Sequence, residues 1–339
     1  MTTARGATLL EVRDLAMHFQ VGSGWVHAVD GVSFDLRRGE TLGIVGESGS
    51  GKTSLGYALL RLLPQNGRIV RGAIVFDGTD LVRLADAELR ALRWKRFAVV
   101  FQNAMSALNP VFRVGDQIVD AIRYHTGVSR DAARERVASL FELVGLSRNR
   151  LRGYPHEFSG GMKQRAMIAL ALSCGPDLVV ADEPTTALDV VAQEQVLRQI
   201  RSLQHDLDLA LVFISHDISV VAEVCRNVAV MYEGEFVEYG PAEHLLTDPR
   251  HPYTIALLRS FPAVRGPQRT LLSVPGSPPD LVRPPSGCRF HPRCPFAQPV
   301  CREVSPPPVP TAGGWARCHF AEEIHRRGAE TIRTLEGTG

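Results

Sequence analysis

Short apolar segments alternate with longer amphipathic segments from about residue 9 to residue 231. Three apolar runs, at residues 41–45, 177–181 and 209–214, are rich in aliphatic and β-branched side chains and predict buried strands. Strands that alternate with helical segments are typical of an α/β domain with a parallel sheet. Each run ends directly at polar residues, and ligands of such domains bind at the carboxyl ends of the strands.

Two other parts of the chain have a different pattern. An amphipathic helical region between Asp116 and Leu146 predicts a separate lobe, and we place a helical subdomain at about residues 103–165. After Phe261 the composition changes, because fourteen of the twenty-two prolines lie between Pro262 and Pro310. We therefore predict a main domain at residues 8–260 and a C-terminal extension at 261–339 with little regular structure.

The composition is that of a soluble globular protein. The 339 residues are 45% hydrophobic, which is enough for one large or two modest domains. The formal charge is +2, with 38 basic and 36 acidic residues, so nucleic acid is not an obvious partner. Residues 1–7 lack the apolar core of a signal peptide, and no segment approaches the ~18 apolar residues that span a bilayer. We expect the protein in the cytosol or on the inner face of a membrane.

A glycine-rich segment after the first of these strands matches the pattern G-x-x-x-x-G-K-[ST]. It precedes an apparent helix at residues 53–63, which is the context that a phosphate-binding loop requires. Backbone N–H groups of the loop and the helix N-terminus favour a bound phosphate, the lysine neutralises β- and γ-phosphate charge, and the threonine hydroxyl suits Mg²⁺. The alternative, a structural glycine turn, is disfavoured by this context. The loop consists of Gly46, Glu47, Ser48, Gly49, Ser50, Gly51, Lys52 and Thr53.

Polar residues with catalytic potential follow the other two strands. Asp182 and Glu183 come after the run at 177–181, and His216 comes shortly after the run at 209–214. In hydrolysis of a phosphate ester, Asp182 can hold Mg²⁺ while Glu183 orients and polarises the attacking water. His216 can reach a γ-phosphate. Taken alone, an acidic pair or a histidine after a strand is more often structural, so these roles depend on the phosphate loop.

A second anion site is indicated by the segment FSGGMKQR at residues 158–165. Ser159 can cap a helix whose first N–H groups, together with Gly160 and Gly161, form a site for an anion. A serine-capped helix after a turn is the structural alternative, and such caps are common.

Together these segments resemble the ATP-binding cassette (ABC) ATPases, because six motifs of that family occur in the same order. The resemblance covers roughly residues 9–260. It implies an α/β phosphate-loop ATPase core with a β-rich and a helical subdomain, followed here by a proline-rich extension with four cysteines. The matching segments are the phosphate loop at 46–53, the Q-loop residue Gln102, the signature at 159–164, Asp182 with Glu183, the D-loop at 187–189, and His216.

In that family two cassettes dimerise head to tail, so the signature of one subunit covers the ATP held by the other. The resemblance therefore implies ATP and Mg²⁺ as ligands, and it implies roles for particular side chains. An aromatic residue at the position of Phe19 stacks on adenine in the family, although a phenylalanine is as often part of a core. The implied residues are Ser54 and Gln102 beside the phosphate loop for ATP; Thr53, Gln102 and Asp182 for Mg²⁺; Ser159, Gly160, Gly161, Gln164 and Asp189 for the partner's ATP; and Glu183, His216 and Lys52 for catalysis.

The resemblance is closer to one branch, the dipeptide, oligopeptide and nickel importers of bacteria. It rests on the segments at residues 43–51, 154–162, 251–254, 275–279 and 287–295. The branch implies an importer subunit on the cytoplasmic face of the cytoplasmic membrane that energises uptake of di- or oligopeptides. Its implied partners are a second, different cassette, two permease subunits and an extracellular binding protein. Departures include Asn103 and Ala104 after the Q-loop glutamine, which indicate a coupling surface suited to a different permease.

Other functions stay open at this level. Close relatives carry nickel, opines or sugars, because the transported molecule touches the binding protein and the permease rather than the ATPase. A soluble ABC ATPase acting on nucleic acid or the ribosome is disfavoured, since the chain has one cassette and no sustained heptads. A redox sensor built on the C-terminal cysteines is a third possibility.

Four of the six cysteines, Cys288, Cys294, Cys301 and Cys318, are crowded into the extension. Four thiolates suffice for a tetrahedral zinc site or a [4Fe-4S] cluster, and a metal would explain how a short, proline-rich segment stays ordered. The spacing lacks the Cys-x-x-Cys pairs typical of structural zinc. Some relatives of this branch carry an iron–sulfur cluster here, so the resemblance implies [4Fe-4S], with zinc and free or disulfide-bonded cysteines as lesser alternatives.

Overall fold

The computed structural model describes residues 7–22, 24–101, 107–186, 188–260, 274, 276–277 and 280–327. The chain divides into two compact units. The first contains Asp35–Thr41 and Val75–Ile214 together with the residues up to Leu10, and the second contains Glu11–Phe34, Leu42–Ile74 and the residues from Ser215 onward.

Twelve strands and eleven α-helices occur in the described part of the chain. The strands are β1 (Thr8–Val21), β2 (Gly24–Arg37), β3 (Thr41–Val45), β4 (Gly67–Phe76), β5 (Thr79–Asp80), β6 (Phe97–Val100), β7 (Leu178–Asp182), β8 (Ala210–Ser215), β9 (Asn227–Tyr232), β10 (Glu235–Pro241), β11 (Val309–Thr311) and β12 (Gly314–Ala316). The helices are α1 (Lys52–Leu59), α2 (Asp86–Leu92), α3 (Val114–Thr126), α4 (Arg130–Leu143), α5 (Gly160–Leu172), α6 (Val190–Asp206), α7 (Ile218–Val224), α8 (Ala242–Thr247), α9 (Pro252–Arg259), α10 (Pro299–Glu303) and α11 (Ala321–Arg327).

The first unit is built on parallel strands. β7 pairs with β6 on one side and with β8 on the other, with Leu178 opposite both Phe97 and Ala210. Every residue of β6, β7 and β8 is buried, which explains why the sequence shows continuous apolar runs rather than alternation. The predicted α/β class with a parallel sheet is confirmed.

The helical region of the first unit is two helices rather than one. Gly127, at a φ of 73°, ends α3, and Ser129 caps α4 by accepting a hydrogen bond from the N–H of Ala132. Phe141 is fully buried and belongs to the apolar face of α4. Two amphipathic helices joined by a short turn account for the periodic pattern between residues 116 and 146.

The sheet of the second unit joins parallel and antiparallel strands in the order β11-β12-β10-β9-β3. β3 runs parallel to β9, and β10 runs antiparallel to both β9 and β12, with Glu238 opposite Ala316. The hairpin β11–β12 comes from the proline-rich extension. The extension therefore has more regular structure than its composition predicts, and it continues the sheet of β9 and β10.

Within the second unit, an aromatic cluster packs the extension against β9 and α9. Tyr232 of β9, Tyr253 of α9 and Phe290 of the extension are each at most 1% exposed. The ring centroids of Tyr232 and Tyr253 lie 4.6 Å apart, and those of Tyr232 and Phe290 lie 5.2 Å apart in an edge-on arrangement. Aromatic pairs at such distances contribute about 0.5–1.5 kcal/mol beyond the burial of their area.

Candidate active site

The glycine-rich loop follows β3 and leads into α1, both in the second unit. A Cβ atom at Gly46 would lie 2.2 Å from the carbonyl oxygen of Met231, and one at Gly51 would lie 2.1 Å from that of Ala28. Gly51 also has a φ of 104°, which L side chains rarely adopt. Only glycine fits at these two positions, so the glycines of the motif let the loop pack closely against neighbouring backbone.

Lys52 lies at the centre of the loop. Its Nζ donates hydrogen bonds to the carbonyl oxygens of Gly46 at 2.8 Å and Glu47 at 2.7 Å, and the residue is only 5% exposed. A buried ammonium held by the loop's own carbonyls is positioned to neutralise phosphate charge. α1 begins at Lys52 itself and ends at Leu59, so it is shorter than the predicted helix at 53–63.

The extension holds the phosphate loop through Glu47. Arg293 donates from Nη1 to Glu47 Oε2 at 2.8 Å and from Nη2 to Oε1 at 3.2 Å, a two-bond ion pair. Nη2 also donates to the carbonyl oxygens of Val274 and Gly276. Burial opposes the charge of Arg293, but the hydrogen bonds to Glu47 and Tyr232 outweigh it and raise its pKa.

A second support comes from α9. The backbone N–H of Glu47 donates to the hydroxyl oxygen of Tyr253 at 2.8 Å. His251 caps α9 by accepting from the N–H of Tyr253, and burial lowers the pKa of His251 to about 3, so its ring is neutral. Glu238 accepts hydrogen bonds from the N–H groups of Arg250 and His251. The segment 251–254, which the sequence shares with the importer branch, thus helps to fix the phosphate loop.

The end of β7 places two carboxyl groups in the first unit. Asp182 is 1% exposed. Glu183 has a φ of 45°, a left-handed conformation that costs free energy for a residue with a side chain. Its backbone N–H donates to the carbonyl oxygen of Ile214, and its Oε2 accepts from the Thr186 hydroxyl at 2.9 Å. Strained backbone at a carboxylate that hydrogen bonds orient is a feature of functional sites.

The signature and the D-loop both lie at helix N-termini in the first unit. Ser159 is exposed and caps α5, since its hydroxyl accepts a hydrogen bond from the N–H of Met162 at 3.3 Å. Gln164 is 6% exposed. Asp189 caps α6 by accepting from the N–H of Ala192 at 2.8 Å. A Cβ atom at Gly161 would lie 3.3 Å from that of Ala192, so the two helix starts are close neighbours.

The other predicted residues are His216, Phe19 and Gln102. His216 is exposed and follows β8, in the second unit. Phe19 is half-buried, and its ring packs on Gly67, where a Cβ atom would lie 3.2 Å from it. Gln102 and the expected permease-coupling residues Asn103 and Ala104 lie outside the described residues.

The structure groups the predicted residues by unit. The phosphate loop, Phe19 and His216 belong to the second unit, and Asp182, Glu183, the signature and Asp189 belong to the first. Sequence reasoning missed Arg293 and Tyr253 as supports of the loop. The sequence HPRC at 291–294 resembles that of the importer branch, but nothing local to it indicates an ion pair with Glu47.

The four cysteines of the extension line one cavity in the second unit, together with aromatic rings and histidines. None of the six cysteines, all within described residues, forms a disulfide. Backbone N–H groups hydrogen-bond the sulfurs, from Phe290 to Cys288, from Phe296 to Cys294 and from Phe320 to Cys318. Such donors stabilise thiolates that ligate a metal.

Four thiols around one cavity form a donor set that suits either a tetrahedral zinc site or a [4Fe-4S] cluster.

A glycine loop between a buried parallel strand and a helix, with a buried lysine at its centre, defines an α/β phosphate-loop protein. The model of the ABC transporter family matches residues 29–186, and that of the oligopeptide/dipeptide transporter C-terminal region matches residues 237–301. The chain is 46% identical over 300 residues to the oligopeptide transport ATP-binding protein OppD of Salmonella typhimurium, covering 88% of this chain and 89% of that protein. It is 46% identical over 301 residues to the dipeptide transport ATP-binding protein DppD of Bacillus subtilis, covering 88% and 90%.

Solved structures agree on the fold. A dimeric ATP-binding cassette bound to ADP and Pi matches with a TM-score of 0.63 and 24% identity, over 69% of this chain and 99% of that one. The protein cbiO1 from Clostridium perfringens matches with a TM-score of 0.62 and 25% identity, over 74% and 95%. The chain belongs to the ABC transporter family of ATP-binding proteins, in its oligopeptide and dipeptide branch. No helix among the described residues has the length and apolar character needed to cross a bilayer.

Proposed function

We propose that this ABC ATPase hydrolyses ATP to energise uptake of di- or oligopeptides through a bacterial importer. The main support for ATPase activity is Lys52, which is buried in the glycine loop and hydrogen-bonded to the loop's carbonyl groups. The similarity to the OppD and DppD proteins supports peptides as the transported substrate. The chain works on the cytoplasmic face of the cytoplasmic membrane, with two permease subunits and an extracellular binding protein.

The predicted site residues have distinct roles in the proposed hydrolysis. MgATP binds the loop at 46–53, with Thr53, Gln102 and Asp182 as oxygen ligands for Mg²⁺, and Phe19 stacks on the adenine. Lys52 and His216 stabilise charge on the γ-phosphate. Glu183, oriented by the Thr186 hydroxyl, accepts a proton from the attacking water.

A second cassette completes the site. The exposed Ser159 caps α5, and its helix N-terminus offers N–H groups to an anion, so the signature serves the ATP of a partner cassette. Val190 and Val191, next to Asp189, are 82% and 68% exposed, which is unusual for adjacent valines in a monomer and suits a partner surface. The importer branch usually pairs two different cassettes, so the proposed partner is a sister subunit, with a second copy of this chain as the alternative.

A separate apolar surface suits the permease. Val111, Phe112 and Tyr124 of the first unit are 71%, 57% and 83% exposed. Large apolar side chains that are exposed to solvent suit contact with a partner, and these three lie in the predicted helical subdomain. The described part of that subdomain thus offers a docking face for permease segments.

The four thiols of the extension hold a [4Fe-4S] cluster with a structural role. When bound, the cluster would cross-link the segments of the extension that carry the four cysteines. The expected result is a brown protein absorbing near ~400 nm after anaerobic purification. A colourless preparation that contains one zinc ion per chain would show that the four thiols bind zinc and not a cluster.

Transport with the intact importer tests the function. Cells that express the importer should take up labelled di- and oligopeptides, and Lys52→Met in this chain should abolish uptake because the phosphates lose their cation. Lys95→Met is the matched control, since Lys95 is exposed and outside the motifs. Uptake of nickel instead of peptide, equally sensitive to Lys52→Met, would keep the ATPase and refute the peptide substrate.

A further inference from the structure

Two histidines and an aspartate form a cluster in the second unit that the proposed ATPase function does not use. His18 lies in β1, and His27 and Asp30 lie in β2. One nitrogen of each imidazole and one oxygen of Asp30 all lie within 4.8 Å of one another. Within the part of the chain that the structure describes, this is the one trio of His, Cys, Asp or Glu side chains that meets this distance.

The two imidazoles lack hydrogen-bond partners for buried nitrogens. His18 Nε2 and His27 Nδ1 are both buried and unpaired. The ring centroids lie 4.1 Å apart, and His27 Nδ1 is 3.7 Å from Asp30 Oδ2, which is too long for a hydrogen bond. An unsatisfied buried polar atom costs about 1–3 kcal/mol, so two on adjacent rings call for a ligand that takes up their lone pairs.

Asp30 is held in place by two arginines. Arg289 Nη2 donates to Asp30 Oδ2 at 2.6 Å, and Arg71 Nη2 donates to Oδ1 at 3.2 Å. Both guanidinium groups have further acidic partners, Glu235 for Arg289 at 3.0 Å and Asp14 for Arg71 at 2.7 Å. Hydrogen bonds that orient a carboxylate are typical of the surroundings of a metal ligand.

We propose that His18, His27 and Asp30 bind one divalent transition-metal ion, of the class of Zn²⁺, Co²⁺ or Ni²⁺. Two imidazoles and one carboxylate suit these ions, whereas Mg²⁺ and Ca²⁺ prefer oxygen ligands alone. The three side chains are half-buried, so the ion has access from solvent and keeps an open coordination position for water. The site is distinct from the four thiols and from the Mg²⁺ that accompanies ATP.

The proposed metal site adjoins the phosphate loop and the extension. Ala28, between the two β2 ligands, has its carbonyl oxygen against Gly51 of the phosphate loop. Arg289, which pairs with Asp30, belongs to the extension and also donates to the carbonyl oxygen of Glu233. The ion therefore binds beside both the phosphate loop and the contact that fixes the extension.

Titration of the full chain with Co²⁺ tests the site, because thiolate ligands give cobalt an intense sulfur-to-metal absorption that nitrogen and oxygen ligands do not. Wild-type protein whose four extension cysteines already hold their metal should bind one additional Co²⁺. This Co²⁺ should show no sulfur-to-metal absorption. His18→Gln and His27→Gln should each weaken this binding by at least about tenfold. His205→Gln, which alters an exposed histidine, is the control and should bind like wild type.

Thermal unfolding keeps the test independent of folding defects. Co²⁺ should raise the Tm of the wild type and of His205→Gln, because an ion that binds only the folded state stabilises it. It should not raise the Tm of the double variant His18→Gln/His27→Gln. Equal Co²⁺ affinity and equal Tm shift in that double variant, or cobalt bound only through thiolates, would overturn the metal site. Neither result bears on ATP hydrolysis, which the Lys52→Met variant tests separately.

Discussion

Glu183 combines a left-handed backbone with a carboxylate that the Thr186 hydroxyl orients. We expect Glu183→Gln to lower the rate of ATP hydrolysis by about 10²–10⁴-fold while ATP still binds, because an amide cannot take the proton of the attacking water. Phosphate release and retention of labelled ATP by the assembled importer measure the two effects. Glu194→Gln, on the exposed face of α6, is the control. Hydrolysis at the wild-type rate would show that another group is the base.

Burial raises the pKa of Glu233 from 4.5 to about 7, with the arginines at 289 and 293 opposing part of the effect. Between these values the folded state keeps a proton that the unfolded state releases, so the contribution of Glu233 to stability falls as pH rises from about 5 to 8. Glu233→Gln should remove a difference on the order of 2 kcal/mol across this window.

The urea midpoint of unfolding, measured at pH 5 and at pH 8, tests this expectation. The exposed Glu303→Gln should behave like wild type. Burial also raises the pKa of Glu238 to about 7, so the urea midpoint of Glu233→Gln should still depend on pH, but less than that of the wild type. A slope unchanged from wild type would contradict a protonated Glu233.

The residues of the candidate site divide into those that local sequence reveals and those that only the fold brings together. Lys52, Glu183 and Ser159 lie in short motifs whose chemistry is local, so their positions could be predicted. Arg293 could not, because its partner Glu47 is 246 positions away and an arginine in a proline-rich segment usually faces solvent. The pair arises from tertiary packing.

At the scale of elements, the extension acts as a support for the phosphate loop. Arg293→Met should destabilise the protein by about 2 kcal/mol, since it leaves the carboxylate of Glu47 without its two charge-assisted bonds. ATP binding should weaken in parallel because the loop loses its anchor. Arg302→Met is the control, as Arg302 is exposed in the same extension.

A double variant separates the ion pair from general damage. If Glu47→Gln and Arg293→Met act through their mutual contact, the double variant should lose less free energy of unfolding than the two single variants lose in sum. Urea unfolding and ATP titration on all four proteins give this coupling. Strictly additive costs would show that Arg293 acts through its other contacts, such as Tyr232, Val274 and Gly276, and not through Glu47.

Prediction of the elements succeeded where burial leaves a pattern in the sequence. β3, β7 and β8 were predicted to within one residue, because parallel strands buried on both faces give continuous apolar runs. The hairpin β11–β12 was missed, since its strands have three residues each and one contains Pro310. It is stabilised by pairing with β10, a tertiary effect that local propensity does not show.

For the whole molecule, the position of Ser159 predicts an active site shared between subunits. Ser159→Arg places a bulky cation at the exposed start of α5, where the γ-phosphate of a partner's ATP is expected. In the assembled importer this change should nearly abolish hydrolysis at the site served by this signature, while the chain's own phosphate loop still binds ATP. The isolated chain should likewise bind ATP and hydrolyse it poorly.

Loss of a helix cap alone costs about 1 kcal/mol, so the comparison needs a variant that loses a cap elsewhere. Ser129→Arg provides it, because Ser129 caps α4 in the same unit through the same kind of hydrogen bond and is also exposed. Both variants should unfold at similar temperatures, but only Ser159→Arg should stop hydrolysis. If the two variants hydrolyse ATP equally well in the assembled importer, the start of α5 does not serve a partner's nucleotide, and the catalytic site lies within one chain.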